Sequence, residues 1–123
     1  MVDRADKMKD AIEWVKKKGF TEIKANAEDL DDMDVDAPTS FERKRDEEEF
    51  VPDISGKKMG AKSYFEIAIK TDETRRLVTK WKLLSKMASM KNGKLYLLAP
   101  RGSKSFTDGL VKMYNIQAKV YSI

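Results

Sequence analysis

The chain has 123 residues, enough for one hydrophobic core and too few for two well-buried ones. Apolar residues make up 41% and the net charge is only +4, which argues against global disorder, and no apolar run approaches the ~20 residues that span a bilayer. Cysteine and histidine are both absent, which excludes disulfides, thiol chemistry, histidine-based triads and an ordinary zinc site; catalysis would fall to carboxylates, lysines, hydroxyls or a hard metal ion held by oxygens.

The first residues, Met1-Val2-Asp3-Arg4-Ala5-Asp6, are charged and lack the apolar stretch of a secretory signal, so a soluble, cytoplasmic protein is expected. From Asp3 to Lys18, Ala5, Met8, Ala11, Ile12 and Val15 recur at helical spacing, and Gly19 is a natural stop. Phe20 to Ala25 alternates as a short strand. The following segment, Glu28-Asp29-Leu30-Asp31-Asp32-Met33-Asp34-Val35-Asp36, has neither the central Gly nor the distal Glu of an EF-hand, and reads as a mobile acidic loop covering residues 28–49. Within it, the charged stretch Ser40 to Glu49 is compatible with an exposed edge strand or with disorder.

Phe50-Val51-Pro52-Asp53-Ile54 reads as a strand, with Pro52 confining it to an edge or a strand end. Ser55 to Gly60 reads as a turn, and Ala61 to Lys70 as the clearest strand of the chain, with the two segments forming a hairpin. Phe65, Ile67 and Ile69 face one way on that strand; Tyr64, Glu66, Ala68 and Lys70 face the other. A helix capped by Thr71 or Asp72 follows to about Lys91, its buried stripe made of Leu77, Trp81, Leu84 and Ala88 and widened by Val78 and Met87. Leu95 to Ala99 is a buried strand. Ser103 opens a last helix to about Tyr114, with Phe106, Leu110, Val111 and Met113 toward the core, and Gln117 to Ile123 alternates as a final strand. The expectation is one α/β domain over residues 1–123, a mixed central β-sheet with flanking helices in the order α-β-β-β-α-β-α-β.

Charge is unevenly distributed. Residues 1–24 carry a net +2, residues 25–50 a net −8 and residues 51–123 a net +10. The last block is suited to a polyanion, although a solvated lysine-rich surface has the same composition. Arg75, Lys82 and Lys86 fall near one helix face with Thr79 between them, flanked by Arg76 and Lys80; Arg101 and Lys104 follow the buried strand. Together these basic residues are the candidate phosphate-backbone contacts, with DNA as the expected partner.

The candidate chemistry lies in Asp53 and Glu66, which the proposed hairpin places on one sheet face. Two adjacent carboxylates repel, and a hard divalent ion, Mg²⁺ or Mn²⁺, relieves that repulsion. Such an ion activates water and stabilises charge on a transferring phosphate, and a lysine on the same face adds to that stabilisation.

In element order and in "VPDI", "YFEIAIK" and "KLYLLAP", the chain resembles the PD-(D/E)xK nuclease superfamily, with its restriction-endonuclease-like fold. The resemblance implies that Asp53 and Glu66 are the metal-binding acids and that the backbone carbonyl of Ile67 is a further ligand. It also implies an additional acid on the first helix, for which Asp10 and Glu13 are the candidates. The motif lysine is missing: its position is Ala68, and Lys70 lies one strand repeat further, about 6–7 Å away at ~3.3 Å per residue. Lys70 is therefore the provisional catalytic lysine, with helix lysines such as Lys80 as substitutes, since in that superfamily the lysine migrates between elements. The expected function is metal-dependent phosphodiester hydrolysis on DNA. The alternative is an inactive nuclease-fold protein that binds nucleic acid or a protein partner, as a homodimer or a subunit of a larger assembly. A third reading, an interaction module with no nucleic-acid role, rests on the net −8 segment.

Overall fold

A computed structural model describes residues 4–25, 41–43 and 48–123, with side chains described at 7–25 and 51–123. Of the acidic stretch expected to be a loop over residues 28–49, residues 28–40 and 44–47 lie outside the described residues, whereas 41–43 and 48–49 belong to strands. The elements are α1 (Arg4–Lys17), β1 (Thr21–Ala25), β2 (Phe41–Arg43), β3 (Glu48–Phe50), β4 (Ile54–Lys58), β5 (Ala61–Ile67), α2 (Thr74–Met90), β6 (Leu95–Ala99), α3 (Lys104–Met113) and β7 (Ala118–Ser122). Five strands form one mixed sheet in the order β1-β4-β5-β6-β7, antiparallel through β1, β4 and β5 and parallel from β5 to β7. Helices flank it on both faces, as an α/β reading requires. Two features depart from the expected order. Residues 41–43 and 48–50 pair as a separate two-stranded antiparallel sheet, adding two strands. The strand expected at 50–54 instead begins at Ile54 and runs through the residues read as a turn.

That shift follows from the real turn being tighter. Lys58 pairs with Ala61, leaving only Met59 and Gly60 between the strands, and both have positive φ, 52° and 83°. This is the backbone of a two-residue type I′ hairpin, whose twist matches the flanking strands. Ser-Gly-Lys-Lys resembles a turn in composition, but Ser55 and Gly56 are buried in the ladder opposite Tyr64 and Ser63.

Period-two alternation on β5 divides the core. Phe65 and Ile67 join Ile54, Leu98 and the α1 residues Met8, Ala11, Ile12 and Val15 on one face. Tyr64 and Ala68 join Leu95, Leu97 and Ala99 beneath Val78, Trp81, Leu84 and Ala88 of α2 and Leu110 of α3 on the other. Trp14 adds an aromatic contact to the first face, its ring centroid 5.1 Å from that of Tyr121.

The helix ends differ from expectation in an instructive way. The Thr71 hydroxyl accepts the Glu73 N–H rather than capping α2, which begins at Thr74. Ser103 precedes α3, but its hydroxyl accepts the Lys70 N–H at 3.1 Å, tying the exit of β5 to the start of α3. Thr107 takes a core place in α3, donating to the Ser103 carbonyl at 2.8 Å, whereas Met113 points to solvent and Ile116 supplies the buried group beyond the helix.

Gly93 is fixed by close approach: a Cβ there would lie 1.8 Å from the Lys62 carbonyl oxygen. Gly93→Ala is expected to lower stability by about 2 kcal/mol or more, read from the urea midpoint, because backbone must move to admit the methyl group. Met59→Asn is expected to raise it by about 0.5–1 kcal/mol, since asparagine tolerates the left-handed conformation that methionine adopts there under strain. An unchanged midpoint in either variant would contradict the corresponding geometry.

Candidate active site

Asp53 precedes β4 and Glu66 lies near the end of β5. The register Ile54↔Phe65 sets them opposite each other on the α2 face of the sheet. Both are almost wholly buried, 3% and 2% exposed. Each carboxylate takes a main-chain donor from the other strand: the Asp53 N–H donates to Glu66 Oε2 at 2.6 Å, and the Ile67 N–H donates to Asp53 Oδ2 at 2.9 Å. These bonds continue the cross-strand pairing past the point where regular ladder bonding stops, and Pro52, which lacks an N–H, offers no donor there.

The second oxygen of Glu66, Oε1, lies 2.9 Å from the Lys80 ammonium. Lys80 comes from the second turn of α2 and remains about a fifth exposed at its side chain, so its stem reaches from the helix edge down onto the sheet. Lys70, the lysine expected from strand alternation, takes a different place. β5 stops at Ile67, and Lys70 is exposed beyond it. The three groups brought together are therefore Asp53, Glu66 and Lys80. Ala68, two residues after Glu66, is fully buried under α2. Asp10 and Glu13 on α1 are both exposed, and Asp10 faces Lys7 at 3.8 Å.

Burial raises the Glu66 carboxyl from the ordinary 4.5 to about 8, and the neighbouring Asp53 charge adds to the rise; Lys80 and the Asp53 N–H oppose it. Near neutral pH this carboxyl is poised to hold a proton, and a cation arriving beside it would displace that proton. Also on the α2 side of the sheet, Ser55 Oγ and the Trp81 indole N–H are buried without a hydrogen-bond partner among the described residues. No group of three or more acidic, histidine or cysteine ligands occurs among the described residues, so an ion here would have two carboxylates as its acidic ligands.

The basic residues separate into groups. Arg75, Lys82 and Lys86 line one hollow along α2, as their helical spacing implies. Arg76 is exposed outside that hollow. Arg101 stands in the exposed turn after β6, and Lys104 is held by Asp108 at 2.6 Å. Lys82 lies 5.7 Å from the ring centroid of Tyr114, an aromatic neighbour that the sequence reading placed only as a helix end. Elsewhere Lys62 is pushed below the usual lysine range, by burial first and then by Lys91, Lys24 and Lys57, which marks a second crowded cationic area around Tyr64. No helix among the described residues is long and apolar enough to cross a membrane.

The Glu66 shift carries a sign. Because the folded state binds this proton more tightly than the unfolded chain, the carboxyl's contribution to stability is complete below about pH 4.5 and is lost as pH rises through about 8. Between these limits the wild-type chain should lose at least about 1 kcal/mol relative to Glu66→Gln, whose neutral amide cannot ionise. Urea denaturation of both chains across that range measures it, and parallel pH profiles would refute the assignment.

Compared with known proteins, the chain matches no family model, no curated protein and no solved structure.

Proposed function

We propose that this chain is a cytoplasmic nuclease-like domain of the restriction-endonuclease-like type, acting on DNA by metal-dependent phosphodiester hydrolysis. The observation that carries this reading is the convergence of Asp53, Glu66 and Lys80 at one buried point on the sheet. Asp53 and Glu66 would hold Mg²⁺ or Mn²⁺ together with the Ile67 carbonyl. In an extended strand the N–H and C=O of one residue share an edge, and the Ile67 N–H already points at Asp53. Oxygen ligands of this kind suit a hard ion that keeps water and phosphate oxygens in its remaining positions. When bound, the metal would lower the pKa of a coordinated water and offset charge on the phosphate. The chain's own contribution is positional. Asp53 is fixed by a backbone donor, Glu66 by a backbone donor and an ammonium, and Lys80 supplies the cation nearest the developing negative charge. Lys80 takes the role first considered for Lys70, with its charge delivered from the helix rather than from the strand.

A second reading, a nuclease-fold protein without catalysis that binds nucleic acid or a protein partner, draws on two observations. Ala68 occupies the motif lysine's position, and both carboxylates are already engaged and almost closed to water.

The two readings separate in a cleavage assay on supercoiled and linear DNA with Mg²⁺ or Mn²⁺. Hydrolysis is expected to fall about 100-fold or more in Asp53→Ala and Lys80→Ala, and by less than about threefold in Lys70→Ala. Metal affinity should increase as pH rises toward 8, with proton release seen as a buffer-dependent heat in calorimetry, because the ion and the Glu66 proton compete. No hydrolysis with either metal on any DNA form would refute the enzymatic reading, and DNA binding alone would favour the inactive one.

A further inference from the structure

A second feature lies on the other flank of α2, away from the carboxylates. Two adjoining hollows, of about 970 and 470 Å³, follow the helix and open toward the α3–β7 turn and the first residues of β6 and β7. Lys82, Lys86 and Tyr114 line both of them. Arg75 extends the lining toward the helix start, and Lys94 and Lys119 extend it toward the strand ends. These give five cationic side chains in all, and among the described residues no aspartate or glutamate lines either hollow. A concave surface whose charged lining, among the described residues, is entirely cationic selects for an anion. From Arg75 to Lys86 the cations follow roughly 16 Å of helix at about 1.5 Å per residue, too long a track for a single phosphate.

The wall opposite α2 is firmly built. The Ser85 hydroxyl donates to the Gln117 carbonyl at 2.6 Å, the Tyr114 N–H to the Leu110 carbonyl at 3.0 Å, and the Ile116 N–H to the Val111 carbonyl at 3.0 Å. The turn is thereby pinned to both helices, and Tyr114 stands at its edge 40% exposed, with the Lys82 ammonium over its ring. An exposed aromatic ring next to lysines offers a stacking surface beside phosphate contacts, and Asn115 and Gln117 add amide groups able to reach a base edge. A duplex keeps its bases stacked and presents phosphates outward, so it uses the cations and leaves the ring unused; a run of acidic side chains likewise uses the cations and not the ring. A single strand, with a phosphate and an unpaired base at each step, uses both along the whole track.

We infer that this groove binds a short run of single-stranded nucleic acid, with phosphates on Lys82, Lys86 and the flanking cations and a base stacked on Tyr114. The inference rests on the nucleic-acid part of the proposed function and narrows it to an unpaired strand; the hydrolytic part is not required. A nuclease-like domain holding its strand here would grip the polymer at a distance from the bond it cuts.

Fluorescence anisotropy of a labelled oligothymidylate of roughly a dozen nucleotides, in about 50 mM salt, tests the site. Tyr114→Ala is expected to weaken binding about fivefold or more, Tyr114→Phe by less than about twofold, and the pair Lys82→Glu with Lys86→Glu about tenfold or more. Lys16→Glu, exposed on α1 across the sheet, should leave the affinity unchanged within about twofold, and thermal melts confirm that each variant is folded. Unlabelled duplex and polyglutamate should compete much less well than unlabelled oligothymidylate. Absence of low-salt binding, equal competition by either rival, or full affinity in folded Tyr114→Ala would overturn the inference. Groove binding without DNA hydrolysis leaves it standing while the enzymatic reading fails. Hydrolysis with an insensitive Tyr114 leaves the enzyme standing while the groove fails.

Discussion

Asp53 and Glu66 are bound to each other's strands by interlocked hydrogen bonds, and much of the molecule is arranged around that junction. Two carboxylates placed side by side out of water repel strongly, because little solvent remains to screen them. Three contacts offset that cost. The Asp53 and Ile67 N–H groups each donate to the carboxylate opposite, and the Lys80 ammonium meets the remaining oxygen of Glu66. The residual imbalance is visible in the Glu66 carboxyl, which is held well above its ordinary range despite the nearby lysine. A pair that contributed only to folding would be replaced by apolar side chains at little loss, since buried ion pairs seldom repay their own desolvation. Burying two acids this close is therefore a cost to the fold that their backbone donors and Lys80 offset only in part.

The same contact fits the rotation of α2 that its buried stripe fixes. For Lys80 to reach Glu66, the helix must turn that side chain toward β5, while Val78, Trp81, Leu84 and Ala88 remain on the sheet. Helical geometry then carries Arg75, Lys82 and Lys86 round to the flank facing α3 and β7. One helix therefore serves three purposes on three sides, with a core stripe, a cation for the carboxylates and a lysine track. The bond from Ser85 to the Gln117 carbonyl fixes the third side by joining α2 to the turn before β7.

Most of this architecture was legible in the residues because its signals are local and periodic. The alternation of Tyr64, Phe65, Glu66, Ile67 and Ala68 gave the two faces of β5 directly, and the spacing of Val78, Trp81, Leu84 and Ala88 gave the buried side of α2. What was less legible depended on tertiary contacts. Ser55 and Gly56 look like turn residues and become strand because Met59 accepts a positive φ that its type disfavours. Ser103 looks like a helix cap, and its hydroxyl goes to the Lys70 N–H instead. Tyr114 has no periodic partner that would mark it as more than a helix end; its place beside Lys82 exists only once the fold brings the residue after α3 to the flank of α2.

The absence of a lysine two residues after Glu66 has a physical explanation in the packing. Ala68 follows Glu66 by two residues on the same face, where strand alternation would set a lysine closest to the carboxylates. In this fold that point lies under α2, fully buried in a cluster with Trp81 and Leu84. A lysine at 68 would have to bury its ammonium in apolar surroundings or push the helix off the sheet, and either costs several kcal/mol. Lys80 avoids both by approaching from above, with its stem lying along the helix edge and its charge entering the junction from the solvent side. Delivering the cation from the helix lets the core close tightly over Ala68 while Glu66 keeps its partner. Position 68 is thus taken up by core packing, and the cation beside Glu66 arrives from the next element.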